Sequence, residues 1–236
     1  MGGTSKASRG VFFYRVAATC CIYYVLAQLV QEVVFHLGIN DSPAGEAEIL
    51  QRLTSLDQFR AIVVLLGFSL IPVLPAYASV ALRRYPFRPA VSLLGFGFSL
   101  LFVGSEASVR SIDFFLVSRK WAAAYQAAST EAIRHAIAGR IQIWDDAIGA
   151  FYYALLGVCL LSSACFALAC WDNDRWNRMV AVGFASTAIE SASRLAEGYL
   201  GQTWMSAANN VAYFPIVLLN FGTLAAWLWR EAPAGG

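Results

Sequence analysis

Residues 90–117 read AVSLLGFGFSLLFVGSEASVRSIDFFLV. The stretch is uncharged through Ser105, then sets Glu106, Arg110 and Asp113 among apolar residues that resume at Phe114. A helix needs roughly 20 residues to cross a hydrocarbon core, so a run of this length reads as a membrane span with charges inside it. Comparable runs lie at Val11 to Phe35, Gln58 to Leu82, Ile141 to Trp171, Met179 to Leu200 and Ala207 to Trp229. The expected fold is therefore all-α: an integral membrane bundle of about six transmembrane helices with two short outer surface helices. Residues 1–10 and 231–236 form cytoplasmic tails around a single transmembrane domain, 11–230.

Composition agrees with that reading. Of 236 residues, 58% are hydrophobic and only 14% charged, with a mean hydropathy of +0.57, well above the apolar share of soluble domains. A net charge of +2 and the lack, outside the short loops, of basic stretches interleaved with aromatics give no reason to expect a nucleic-acid partner. Lys6 and Arg9 precede the first apolar run as in a secretory signal, but the run has no small-residue cleavage pattern, so an uncleaved first span is expected. Lys6 stands where a myristoylation motif would need Ser or Thr. Cys20, Cys21, Cys159, Cys165 and Cys170 all lie in apolar runs with no C-x-x-C pair, which points to packing rather than a disulfide framework. His36 and His135 are too far apart to suggest a metal centre. No metal and no cofactor is expected.

Orientation follows from short loops, which obey the positive-inside rule best. Arg83-Arg84-Tyr85-Pro86-Phe87-Arg88 holds three bases and no acid, so both termini are expected on the cytoplasmic side of the membrane. Trp171, Trp176, Trp227 and Trp229 then fall at the inner interface, and Trp121, Trp144, Tyr199 and Trp204 at the outer one, as two aromatic belts. Two outer connections exceed a turn. In the first, Ile49, Leu50, Leu53 and Leu56 share a helical stripe, and Thr54 with Asp57 fits a capping box. In the second, residues 119–140 are expected to form another surface helix, able to run on into span four. Pro72 and Pro75 in span two and Pro215 in span six predict kinks.

The chemistry lies in a doubled pattern. Glu106-x-x-x-Arg110-x-x-Asp113 in span three returns in span five as Glu190-x-x-x-Arg194-x-x-Glu197. Positions i, i+4 and i+7 share one helix face. At about 1.5 Å per residue, Glu106 lies roughly 24 Å past Ala90, and Glu190 roughly 16 Å past Met179, in a layer about 30 Å thick. A charge near the centre of a span costs about 2.5 to 3.5 kcal/mol, so both stripes are expected to face the bundle interior. Glu32 and His36 repeat the acid and base spacing in span one, hinting at a threefold hairpin repeat. Asp145 and Asp146 open span four, while Asn209, Asn210 and Tyr213 open span six.

These groups predict a polar cavity in the outer half of the bundle, above an apolar and aromatic inner half. Glu106, Asp113, Glu190 and Glu197 are the candidate acids or bases. Arg110, Arg194, Glu32, His36, Asp145, Asp146, Asn209, Asn210 and Tyr213 are the candidate ligand contacts, the arginines holding an anionic group or a partner carboxylate. A membrane lipid or small amphipathic molecule would be bound, transported or converted by acid-base chemistry of the cyclase or isomerase kind. Alternatively the pairs only lock helices together, in a structural or assembly subunit for another membrane protein.

Taken in order, Tyr14-Arg15-Val16-Ala17-Ala18, Phe59-Arg60, the loop Arg83 to Arg88 and Arg178-Met179-Val180-Ala181-Val182-Gly183 resemble a bacterial membrane family catalogued as domain of unknown function 4386, over roughly residues 11 to 228. The resemblance implies six helices and a bacterial inner membrane. That family has no assigned activity or catalytic residues, so no site residue follows from it, and the acid-arginine-acid stripe is not part of its pattern.

Overall fold

The computed structural model describes residues 4–34, 45–68, 72–201 and 204–231, and among them every regular element is helical. The chain runs α1 (Thr4–Val34), α2 (Glu46–Gln51), α3 (Ser55–Phe68), α4 (Val73–Arg84), α5 (Pro89–Ile112), a π-helical segment (Asp113–Trp121), α6 (Ala122–Gln126), α7 (Glu131–Cys170), α8 (Arg175–Leu200) and α9 (Trp204–Glu231). Four stretches are long and apolar enough to cross a membrane: Gly10–Val33, Pro89–Gln126, Glu131–Cys170 and Met205–Arg230.

Local sequence sets the boundaries. Pro89 opens α5, where its missing N–H is no loss. Thr130 and Asp174 cap α7 and α8 with side chains that accept from Ile133, and from Trp176 and Asn177. Gly201, at φ 65°, ends α8 in the left-handed region that glycine enters without strain. Thr54 caps α3 by accepting from the Asp57 N–H at 3.3 Å. The prolines of span two act more strongly than a kink: α3 ends at Phe68, and Pro72 and Pro75 sit at the cap and first turn of a new helix, α4. Pro215, by contrast, is accommodated inside an unbroken α9.

The helices close a ring. α1 packs on α9, α9 on α8, α8 on α7, α7 on α5, and α5 on α3 and α4, which return to α1. At Gly183, α8 approaches α9 so closely that a Cβ would lie 2.8 Å from the Asn220 Cα. One end of the ring carries the tight connections 85–88 and 171–174. There Arg84 and Arg88 donate to the carbonyls of Leu168, Ala169 and Trp171, satisfying the orphan acceptors at the end of α7 and opposing its dipole. Trp227 is buried at this end, with its indole N–H donated to Asn177 at 2.9 Å, so it belongs to the packed interior rather than to an interfacial belt.

The opposite end departs from expectation. In place of one surface helix over 119–140, the chain continues α5 outward through the π segment and α6 and turns at 127–130; from Glu131 it runs on unbroken into span four as α7, the continuity expected from the sequence. At 40 residues, α7 is about 60 Å long, twice the hydrocarbon thickness, so these two helices stand well past the ring. A second small core fills their junction: Ile49 of α2 packs with Val117, Tyr125, Ile137 and Ile141. Leu53 joins it, whereas Leu50 and Leu56 are exposed, so only half of the expected stripe is used.

Candidate functional site

On α5, the i, i+4 spacing brings the Arg110 Nε to 2.9 Å from the Glu106 Oε1. Asp113 lies where α-turns pass into π-turns, and it engages other elements: its Oδ1 accepts from the Arg52 guanidinium at 3.1 Å and from the Trp144 indole at 3.3 Å. α8 repeats the arrangement. Arg194 donates to Glu190 within the helix, while Glu197 accepts from the Asn209 amide at 3.0 Å. Asn209 also accepts from Ser193 at 2.7 Å. In both stripes, then, the first acid pairs with the arginine and the second joins the helix to a neighbour.

The two pairs face a common interior. The Arg194 guanidinium lies over the Tyr213 ring, 5.4 Å from its centroid, and Arg110 reaches the same phenol electrostatically from the other side of the ring of helices. Tyr152 of α7 lies within electrostatic reach of Glu106, Glu190 and Arg194. From α1, Tyr24 senses Glu106. Gln28 is fully buried against the Tyr24 and Tyr213 phenols, with its amide within hydrogen-bonding reach of both. Five helices thus contribute polar side chains to one region.

Two observations describe the space around them. Glu106 and Glu190 are buried, but the Arg110 side chain keeps 42% of its surface exposed although it faces inward. Toward the tight-loop end the region is closed by rings: Tyr77 lies 5.4 Å from Phe166, 5.5 Å from Phe184 and 6.0 Å from Phe221, with Tyr24 4.1 Å from Phe221. On the side of the tight loops the polar layer rests on this aromatic floor.

A separate charged cluster occupies the margin of that end. Arg52, in the turn after α2, donates Nη1 to Asp113 and Nη2 to Asp145 at 2.9 Å, bridging α7 and the π segment. The Gln58 side chain holds the Arg52 carbonyl at 2.6 Å. Beside it lies a cavity of about 210 Å³, lined by Glu48, Asp57, Arg60 and Ser118 among others.

The sequence-predicted residues therefore divide. Glu106, Arg110, Glu190, Arg194 and Tyr213 share the interior; Glu197 and Asn209 form an α8–α9 bond at its edge; Asp113 and Asp145 belong to the Arg52 cluster. Asp146 is exposed and accepts only from Gln142, one turn earlier on the same helix, and Asn210 is exposed. Glu32 is half-buried one turn beyond Gln28, and His36 lies outside the described residues. Tyr24, Gln28, Tyr152 and Arg52 were not among the expected contacts. The tyrosines sit in apolar runs where an aromatic reads as packing, and Arg52 shows in sequence only as one of several outer bases. Among the described residues, no group of three His, Cys, Asp or Glu is placed to hold a metal ion.

The fold and site define an all-helical protein with apolar helices of membrane-spanning length around a charged interior. Comparison with known protein families, characterised proteins and solved structures finds no match to this chain.

Proposed function

We propose that this is a six-span protein of a bacterial inner membrane, with both termini cytoplasmic, whose polar interior opens to the outside and receives the head of a small amphipathic molecule. Four apolar helices support the membrane setting directly. α8, with 26 residues, is long enough to cross at about 39 Å, and its polar stripe faces inward. α3 and α4 together occupy the sixth place in the ring. The bases of the 85–88 hairpin support the orientation.

The observation that carries the reading is that both buried Glu–Arg pairs close within a single helix. A pair made to lock a bundle joins two helices, as Arg52 does; among the described residues the Glu106–Arg110 pair makes no such bond, whereas Arg194 also donates Nη2 to the Asn209 carbonyl of α9 at 3.4 Å. The two pairs keep four charged groups inside the ring at a cost, and the Arg110 side chain remains 42% exposed. A pre-formed polar interior over an apolar floor suits a molecule with one wet end.

The test is extraction of the purified protein and mass spectrometry of what accompanies it, repeated for Arg110→Met and Tyr213→Phe. Both variants should elute folded and lack a molecule that the unmodified protein retains. Folded variants with an unchanged complement would remove the interior as a binding site.

A further inference from the structure

The arginines were expected to anchor an anion, but each is already matched by its own carboxylate: Glu106 with Arg110, Glu190 with Arg194. The four formal charges cancel. Glu197, met by an amide, and Arg52, shared by two aspartates, tilt the balance further toward negative. An anion entering this space would bring charge with no unmatched cation to meet it, in surroundings that solvate charge poorly. What the interior does offer is neutral hydrogen-bonding capacity: the Tyr213 and Tyr152 phenols, and the fully buried Gln28 amide beside Tyr24 and Tyr213.

Resting on the ligand-binding reading above, we infer that the molecule received has an uncharged, hydrogen-bonding head on an apolar tail, and that the two Glu–Arg pairs exclude anionic amphiphiles of the same shape. The pairs act as internally neutralised dipoles that orient the phenols and the head. Gln28, behind Tyr24 and Tyr213, supplies the donor and acceptor that settle which rotamer those phenols adopt once a head is present. The order of contact is head to Tyr213 and Arg110, with the tail directed along the bundle.

The experiment compares a monoacylglycerol with the free fatty acid of the same chain length, at pH 8 where the acid is ionised, by native mass spectrometry and thermal shift on the intact protein in a non-ionic detergent. The monoacylglycerol should bind at least about tenfold more tightly, and Tyr213→Phe should weaken it. Glu106→Gln removes one negative charge while keeping size, and should shift the ratio about tenfold toward the fatty acid. If that variant does not fold, Glu190→Gln tests the same balance from the other pair. Preference for the fatty acid, lost in Tyr213→Phe, overturns the inference and leaves the site standing. Binding of either probe that ignores Tyr213 and Glu106, or no binding of either, overturns the inference and the site together.

Discussion

Arg52 and Arg110 are both guanidiniums facing carboxylates, yet they are built for different ends. Arg52 spends its two Nη atoms on two aspartates from separate elements, so the turn after α2, the π segment and α7 meet on one side chain. Arg110 spends its Nε on an acid of its own helix and leaves much of its side chain open. The contrast teaches that the consequence of an intramembrane charge depends on what it joins. A pair across elements is architecture, whereas a pair such as Glu106–Arg110, closed within its helix, leaves the bundle no tighter and must be read by what it faces.

The largest effect should come from breaking the first kind. Arg52→Met leaves Asp113 and Asp145 close together with no counter-charge, and should destabilise the protein by about 2–4 kcal/mol, discounting the buried-pair figure for partial exposure. Thermal unfolding in detergent would measure it. Arg52→Lys, which keeps the charge but loses the fork, should fall between. Were Arg52→Met no worse than Glu106→Gln, the distinction drawn between the two arginines would be wrong.

The tight-loop end offers a second cross-element pair with a pH signature. Burial alone would raise the Asp172 carboxyl, but the Asp174 N–H, Arg84 and Asn177 outweigh it and hold the group below the usual carboxylate range. A group whose folded pKa is depressed stabilises the fold above its unfolded value, near about 3.9, and the contribution fades as pH falls through the lower folded value. This contact should therefore be constant from pH 8 to about 5 and weaken only below about 4. Asp172→Asn should cost about 1–2 kcal/mol at pH 7, a deficit that shrinks at pH 3. A deficit that instead grows on acidification would assign the carboxyl's role to something other than its charge.

Within-helix pairs should respond less. Glu106→Gln should cost under about 1 kcal/mol, because the Arg110 side chain is 42% exposed and no inter-helix bond is lost. Loss of folded protein in that variant would return the Glu106–Arg110 pair to a structural role.

How far these roles were legible in sequence differs by level. Helical class followed from run length, and the burial of Glu106 and Glu190 from their place inside apolar runs, because burial of charge leaves few alternatives. The tertiary assignments did not. That Asp113 leaves its stripe depends on a π segment and on Arg52, 61 residues earlier, which no local periodicity encodes. The 119–140 segment is alanine-rich and amphipathic, and such composition fits a helix lying on a surface as well as one extending a span. The choice was made by Ile49 packing into the small core at the far end.

Asp145 and Asp146 give the finest version of the comparison and its smallest expected effect. The two differ by one position, yet a helix turns 100° between them, so Asp145 meets Arg52 while Asp146 points outward to Gln142. Asp146→Asn should leave stability within about 0.5 kcal/mol of the unmodified protein, whereas Asp145→Asn should lose about 1 kcal/mol or more by stripping Arg52 of half its fork. Measured side by side in the same detergent, equal values for the two would mean that Arg52 does not discriminate between α7 faces. The register of that helix against α2 would then need to turn by one residue.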